Sequence, residues 1–198
     1  MKTEDHEPNE AFRKVLNDAP ENLRLLEMEV DVETIKAYTE ASKNWADDIY
    51  EDEFIAQAKK TILLNQEDET VVKKNLLALA NKGSVETYRL IESFLEKELS
   101  DDLKKWAFIS LQECQVLLEA SLTDGETGGL IMSPLGGQDN KIRCYVLVAT
   151  DSREDLNAFQ QMLIKDEFEA ACIAFNSLLE TVSFVKDYAL VKLLFSFD

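Results

Sequence analysis

The sequence predicts an α+β protein that is mainly α. We expect a helical-repeat-like bundle in the N-terminal part, followed by a small sheet of three or four strands with one or two covering helices. Residues 1–122 contain one glycine, residues 123–140 contain five, and residues 141–198 contain neither glycine nor proline. Apolar residues recur at helical spacing before the glycine-rich stretch and alternate after it, which indicates helices first and strands afterwards.

This pattern divides the chain into four predicted regions. The first 122 residues comprise a polar leader and then helices, the glycine-rich stretch is a junction or turn, and the last region is α+β and packs on the last helix of the bundle. The expected boundaries are a disordered leader at 1–8, a helical region at 9–122, a junction at 123–140 and the α+β region at 141–198.

Helix starts are indicated by side chains that accept hydrogen bonds from first-turn amides. Five residues stand in such positions: Asp31, Asp48, Asp68, Ser84 and Ser100. Acidic residues follow several of these positions and suit the positive end of the helix dipole. Gly83 directly precedes Ser84 and can end the previous helix in the left-handed conformation.

Apolar stripes at steps of three and four residues support the last two helices of the bundle. One stripe consists of Val85, Tyr88, Ile91, Leu95 and Leu99, and the other of Leu103, Ala107, Leu111, Cys114, Leu118 and Leu122. Trp106, Phe108 and Leu117 lie off the second stripe. We therefore expect the final helix of the bundle to be sandwiched between neighbours.

The predicted helix pairs recur at paired-helix-repeat spacing, from about residue 31 to 68 and from 68 to 100. The segment 76–84, Leu-Leu-Ala-Leu-Ala-Asn-Lys-Gly-Ser, is followed by Tyr88, Ile91 and Trp106. Over about residues 48–122 this pattern resembles HEAT or armadillo-like repeats. The resemblance implies stacked helix pairs whose exposed surfaces bind partner proteins, and an irregular helical bundle is the alternative that the spacing leaves open.

The C-terminal region is expected to fold as strand, helix, strand, strand. Alternation over 142–149 predicts a central strand, in which Arg143 is half-buried and paired with an acid. Asp151, three residues before Glu154, is expected to open a helix with Leu156, Phe159 and Leu163 on its stripe. A shift of the stripe at 165–167 indicates a kink or two successive helices. Two strands, 181–185 and 188–197, follow around a Lys186-Asp187 turn, and 129–133 adds a short strand.

Composition excludes several classes of function. Acidic residues number 39 against 21 basic ones, a formal charge of −18, so no nucleic-acid binding is expected. The single histidine, His6, excludes most catalytic triads and histidine-rich metal sites. Cys114, Cys144 and Cys172 lack metal-site spacing and are expected to be buried thiols. With no signal peptide or apolar run long enough for a membrane span, we expect a cytoplasmic protein without membrane association and without cofactors.

An acidic cluster, Asp47-Asp48 and Glu51-Asp52-Glu53, is the candidate metal site. Asp47 and Glu51 share a helix face, as do Asp48 and Asp52, and such carboxylates suit Mg²⁺ or Mn²⁺. A nucleotide pyrophosphatase-like site needs a second acidic helix, and none is evident. The preferred interpretation is a solvated capping segment with no bound metal, so no catalytic residue is assigned.

The glycine-rich junction supplies the candidate partner-binding residues. Glycines let backbone amides approach a ligand, and nearby basic side chains add charge. The candidates are Gly128, Gly129, Gly136, Gly137, Lys141 and Arg143. No phosphate-binding motif is present, and a simple linker that passes into a hairpin turn is the structural alternative.

Three hypotheses for function follow. The preferred one is a protein–protein interaction or scaffold module without catalytic activity, whose acidic surface favours a basic partner. The second is a carboxylate- and metal-dependent hydrolase that uses the Asp47–Glu53 cluster. The third is an acidic nucleic-acid mimic, which requires a one-sided acidic stripe rather than the scattered acids found here.

Overall fold

The computed structural model describes residues 23–44, 52–64, 68–122, 128–139, 141–151 and 154–195. In these ranges it confirms a mainly helical α+β protein. The chain forms two compact units, each built from two stretches of sequence. The first unit comprises residues 1–24 and 40–131, and the second comprises residues 25–39 and 132–198. The predicted disordered leader at 1–8 lies outside the described residues.

Six helices are present in the described ranges. Their bounds are α1 Val32–Asn44, α2 Asp52–Leu64, α3 Glu69–Lys82, α4 Val85–Leu95, α5 Asp101–Leu122 and α6 Ala158–Ala174. The predicted caps are confirmed at four positions, because the side chains of Asp31, Asp68, Ser84 and Ser100 all accept from first-turn amides. The fifth, Asp48, lies outside the described residues.

Helices α2 to α5 form the core of the first unit. Helix α3 packs against α2, α4 and α5, and α4 also packs against α5. Helix α5 buries residues on more than one side, as its second apolar face predicts, including Trp106, Ile109 and Val116. The indole N–H of Trp106 donates to the Lys73 carbonyl at 3.0 Å, which fixes α5 against α3.

Gly83 ends α3 in the left-handed conformation, with φ of 54°. A Cβ atom at this position would lie 2.8 Å from the Cβ of Leu117. Glycine is therefore required at this position for two reasons: the left-handed turn and the close approach of α5.

A strand at Leu23–Leu25, β1, corrects the expectation that residues 9–122 are helical throughout. It pairs with β2, Gly129–Ile131, in a two-stranded sheet. Strand β2 itself confirms the predicted short strand after the glycines. Strand β1 could not be predicted locally, because three residues are too few to show an alternating pattern. Its partner strand also lies about a hundred residues away in sequence.

The second unit contains a four-stranded antiparallel sheet. Its strands are β3 Gly137–Gln138, β4 Lys141–Ala149, β5 Leu178–Val185 and β6 Tyr188–Phe195, in the order β3-β4-β6-β5. Leu147 lies opposite Leu190, and Ser183 lies on the other side of Leu190. The Lys186-Asp187 turn is confirmed, with Lys186 at a positive φ of 50°.

The helix between β4 and β5 begins later than predicted. Asn157, not Asp151, is its N-cap, and Asn157 and Gln160 form a reciprocal capping box. The Thr150 and Leu156 amides donate to the carbonyls of Asp187 and Lys186, respectively. These bonds hold Thr150 and Leu156 at the β5–β6 turn, so the helix starts only after Leu156. Two successive helices are not found, because α6 is one continuous helix, and the expected kink near 165–167 stays a prediction.

The expected packing of residues 141–198 on the last helix of the bundle stays a prediction.

Candidate interaction surface

Helix α6 packs on the sheet of the second unit through one face only. Its inner side presents Ile164, Phe168 and Cys172. These contact a cluster on the sheet that consists of Cys144, Val146, Leu179, Val182, Val191 and Leu193. Spacing of four residues places the three helical side chains in one row, as expected for a helix with a buried face.

The opposite side of α6 is also apolar and faces solvent. The exposed fractions are 66% for Phe159, 53% for Met162, 46% for Leu163 and 84% for Ile173. Ala170 is exposed on the same side. We call these five residues the α6 outer face. The expected burial of Phe159 and Leu163 is therefore wrong: α6 is apolar on two opposite sides, and periodicity alone did not show which of them packs on the sheet.

The α6 outer face is large for a solvent-exposed surface. Weighting each large side chain by its exposed fraction gives roughly 500 Å² of apolar area, since side chains of this kind each present on the order of 200 Å². Contiguous apolar patches of about this size are the largest on a typical monomer and are often functional. This area distinguishes the α6 outer face from the isolated exposed apolar residues of the helical unit.

Acidic residues surround the α6 outer face. Residues 154–175 contain five acids and one base, Lys165, which is a net charge of −4. Lys165 lies 3.7 Å from Glu169 in an exposed pair. Helical spacing puts the exposed Asp166 near the middle of the outer face, between Met162 and Ala170. The patch therefore combines apolar contact area with negative potential.

A small apolar cavity lies beside the C-terminal half of α6. Its volume is about 140 Å³, and its lining includes Phe168, Ala171, Cys172, Phe175, Leu193 and Phe195. Phe175 and Phe195 are 68% and 45% exposed at its margin. Phe168 and Cys172 belong to the inner side of α6, so this cavity lies between α6 and the sheet.

The three thiols have the character expected of buried cysteines. Burial raises the pKa of Cys114, and hydrogen bonding to Thr87 opposes that shift only in part. Burial also raises the pKa values of Cys144 and Cys172. Each thiol is therefore further from the reactive thiolate than an exposed cysteine.

The predicted metal site falls mostly outside the described residues. Asp47, Asp48 and Glu51 lie there, while Asp52 is the first residue of α2. Among the residues that the structure does describe, no group of three or more histidine, cysteine or acidic side chains is placed to hold a metal ion.

All six candidate residues of the glycine-rich junction lie in the part of the chain that the structure describes. Gly128 directly precedes β2, and Gly129 is the first residue of that strand. Gly136 and Gly137 are buried, and the Gly137 amide donates to the Glu27 carbonyl at 3.1 Å. Lys141 donates to the Asn176 carbonyl at 2.7 Å. Their role in partner binding stays a prediction.

Arg143 is paired as expected. Its Nε and Nη2 donate to the two carboxylate oxygens of Glu180, each at 2.8 Å, and its Nη1 donates to the Leu135 carbonyl. The Arg143 and Glu180 side chains are 13% and 17% exposed. This hydrogen bonding lowers the pKa of Glu180 and raises that of Arg143. The pair ties β4 to the edge strand β5 across β6.

The α6 outer face is the feature that sequence reasoning missed. Its signal was present, because α6 carries an Ile164-Phe168-Cys172 row and a second apolar set on the other side. The second set was interpreted as evidence for a kink instead of a second face.

Comparison with protein-family models, curated proteins and solved structures found no match. Within the described residues, no helix has the length and apolar character that crossing a membrane requires.

Proposed function

We propose that this protein is a protein–protein interaction module that binds a basic amphipathic helix of a partner on the α6 outer face. The observation that carries the proposal is the exposed apolar area of Phe159, Met162, Leu163 and Ile173 on a helix whose other side already packs on a sheet. Amphipathic helices dock on such surfaces through residues spaced three and four apart.

The negative charge around the α6 outer face favours a basic partner helix. The acids around the outer face attract lysine and arginine, and the formal charge of −18 on the whole chain speeds the approach of a basic partner at low salt. A helix with an apolar stripe and basic flanks would place its cations near Glu167 and Glu169, which helical spacing puts on the two sides of the outer face. An acidic helix of the same apolar pattern would be repelled.

A pair of designed helical peptides tests the proposal. Both are about 18 residues long with one leucine and phenylalanine stripe, and they differ only in lysine or glutamate on the other faces. We expect the lysine peptide to bind with micromolar affinity in fluorescence anisotropy and to weaken several-fold between about 50 and 300 mM NaCl. The glutamate peptide should not bind.

Matched variants locate the site. Phe159→Ser together with Ile173→Ser should weaken the lysine peptide at least about tenfold, since two exposed apolar contacts are lost. Leu147→Ser is the control, because Leu147 is 63% exposed in the same unit but lies on β4. Equal binding of both peptides, or equal loss in the control, would contradict the proposal. Affinity purification with the parent and the double variant as baits then identifies partners that depend on the outer face.

A further inference from the structure

The exposed residues along the middle of the α6 outer face follow a heptad pattern. They lie at successive steps of four, three, four and three residues: Phe159, Leu163, Asp166, Ala170 and Ile173. Alternating steps of this kind form the contact seam between helices that pack side by side, as in coiled coils. We call these five residues the α6 seam. It is two heptads long, which suits a partner helix of about 18 residues.

Asp166 is the one charged residue of the α6 seam, and it lies at the midpoint, one heptad from Phe159 and one from Ile173. Within the described ranges, Asp166 makes no hydrogen bond or ion pair. The neighbouring Lys165 lies about 100° further round the helix and is 3.7 Å from Glu169. The Asp166 carboxylate is therefore exposed to solvent, and no cation from the described residues is paired with it.

A partner helix that covers the α6 seam removes water from the Asp166 carboxylate. A desolvated charge is costly unless a paired, hydrogen-bonded cation replaces the water. Lysines on the flanks of the partner helix lie near Glu167 and Glu169, outside the seam, so they do not supply that cation. A cation in the apolar stripe itself is required, and the small side chain of Ala170, one turn after Asp166, leaves room for it.

We propose that Asp166 selects a partner helix with an arginine in the middle of its apolar stripe, and that this pair fixes the register of the two helices. The inference rests on the proposed function of the α6 outer face and specifies the partner further. Arginine suits this position because its planar group binds a carboxylate through two hydrogen bonds and is weakly hydrated. A single polar residue in a seam sets register and partner choice in coiled coils. A helix with an uninterrupted apolar stripe is disfavoured, because it leaves the carboxylate covered and unpaired.

Two lysine-flanked helical peptides of identical composition test the proposal on the full chain. In the first, arginine occupies the middle of the leucine and phenylalanine stripe and one leucine lies on the opposite face. In the second, these two residues are exchanged, so the net charge is the same. We expect the peptide with the stripe arginine to bind at least about tenfold more tightly in fluorescence anisotropy, because only this peptide pairs with Asp166.

Variants of α6 assign this preference to one carboxylate. Asp166→Leu should reverse the preference, because the stripe arginine is then covered without a partner and the uninterrupted stripe meets an apolar seam. Asp166→Asn should abolish the preference for the stripe arginine. Glu167→Leu is the matched control, since it removes the same charge from an exposed position beside the seam. It should weaken both peptides by a similar factor and keep the preference of the parent.

Three outcomes decide between the proposals. Equal binding of the two peptides by the parent would overturn selection by Asp166 and leave the proposed function intact. A preference for the stripe arginine that persists in Asp166→Leu would also overturn it, because the selecting group would then lie elsewhere. Failure of both peptides to bind the parent would overturn the proposed function and this inference together.

Discussion

Replacing Gly136 with alanine should destabilise the protein strongly, because this glycine is enclosed by backbone. Its φ is +67°, a conformation that costs other residues about 1–2 kcal/mol. An added Cβ would lie 2.5 Å from the Glu27 carbonyl oxygen and 2.7 Å from the Met28 carbonyl carbon. Neither atom belongs to a flexible side chain, so the backbone segment itself must move.

That movement would lengthen two hydrogen bonds. The Gly137 amide donates to the Glu27 carbonyl at 3.1 Å, and the Val30 amide donates to the Pro134 carbonyl at 3.2 Å. Each bond contributes about 1 kcal/mol, so the expected total loss is about 3–5 kcal/mol. In a chain of this length the loss lowers the melting temperature by roughly 6–20 °C.

Urea and thermal unfolding followed by circular dichroism measure this effect. Asp139→Gly is the control at the other end of β3, because Asp139 has a φ of 49° and glycine relieves the strain there. We expect the control to be neutral or up to about 1 kcal/mol more stable. A Gly136→Ala protein within about 1 kcal/mol of the parent would refute the reasoning and favour a ligand-binding role for this glycine.

Three further predictions concern single interactions. Ser84→Ala should cost about 1–2 kcal/mol in urea unfolding, since the reciprocal capping bonds with Thr87 are lost, and a cost near zero would contradict this. Arg143 lowers the pKa of Glu180 below its ordinary 4.5 in the folded state, so the stabilisation is complete above that value and is lost as the pH falls through the lower folded pKa. Glu180→Gln should therefore flatten the loss of stability in an acid titration between about pH 5 and 3, and an unchanged slope would contradict it. Lys186→Gly should raise stability by up to about 1 kcal/mol, because Lys186 has a φ of 50° in the β5–β6 turn, and a lower melting temperature would contradict it.

Features that depend on a few neighbouring residues could be predicted from the sequence. The caps at Asp68 and Ser84 require only an acceptor oxygen and an amide two or three residues later. The alternation of β4 and β6 likewise predicted two strands of the sheet. Arg143 was expected to find an acid because a charge on a half-buried strand requires one.

Features that depend on distant parts of the chain could not be predicted. Strand β1 pairs with β2, about a hundred residues away, and nothing in Leu23-Arg24-Leu25 identifies that partner. Asp151 and Asn157 both have the spacing of an N-cap. The structure selects Asn157 because the β5–β6 turn holds Thr150 and Leu156 through its carbonyls. The apolar residues of α6 were visible, but which side packs on the sheet depends on the strands beneath.

The division of the second unit into two stretches affects the order in which it is completed during synthesis. Residues 25–39 leave the ribosome about 90 residues before Met132, where the remainder of the unit begins. At a translation rate of about 5–20 residues per second, this early segment waits roughly 5–20 s for the strands of its own unit. The helices α2 to α5 are synthesised during that interval. Deleting residues 25–39 should therefore leave the second unit incomplete, whereas the mutual packing of α2 to α5 does not involve this segment.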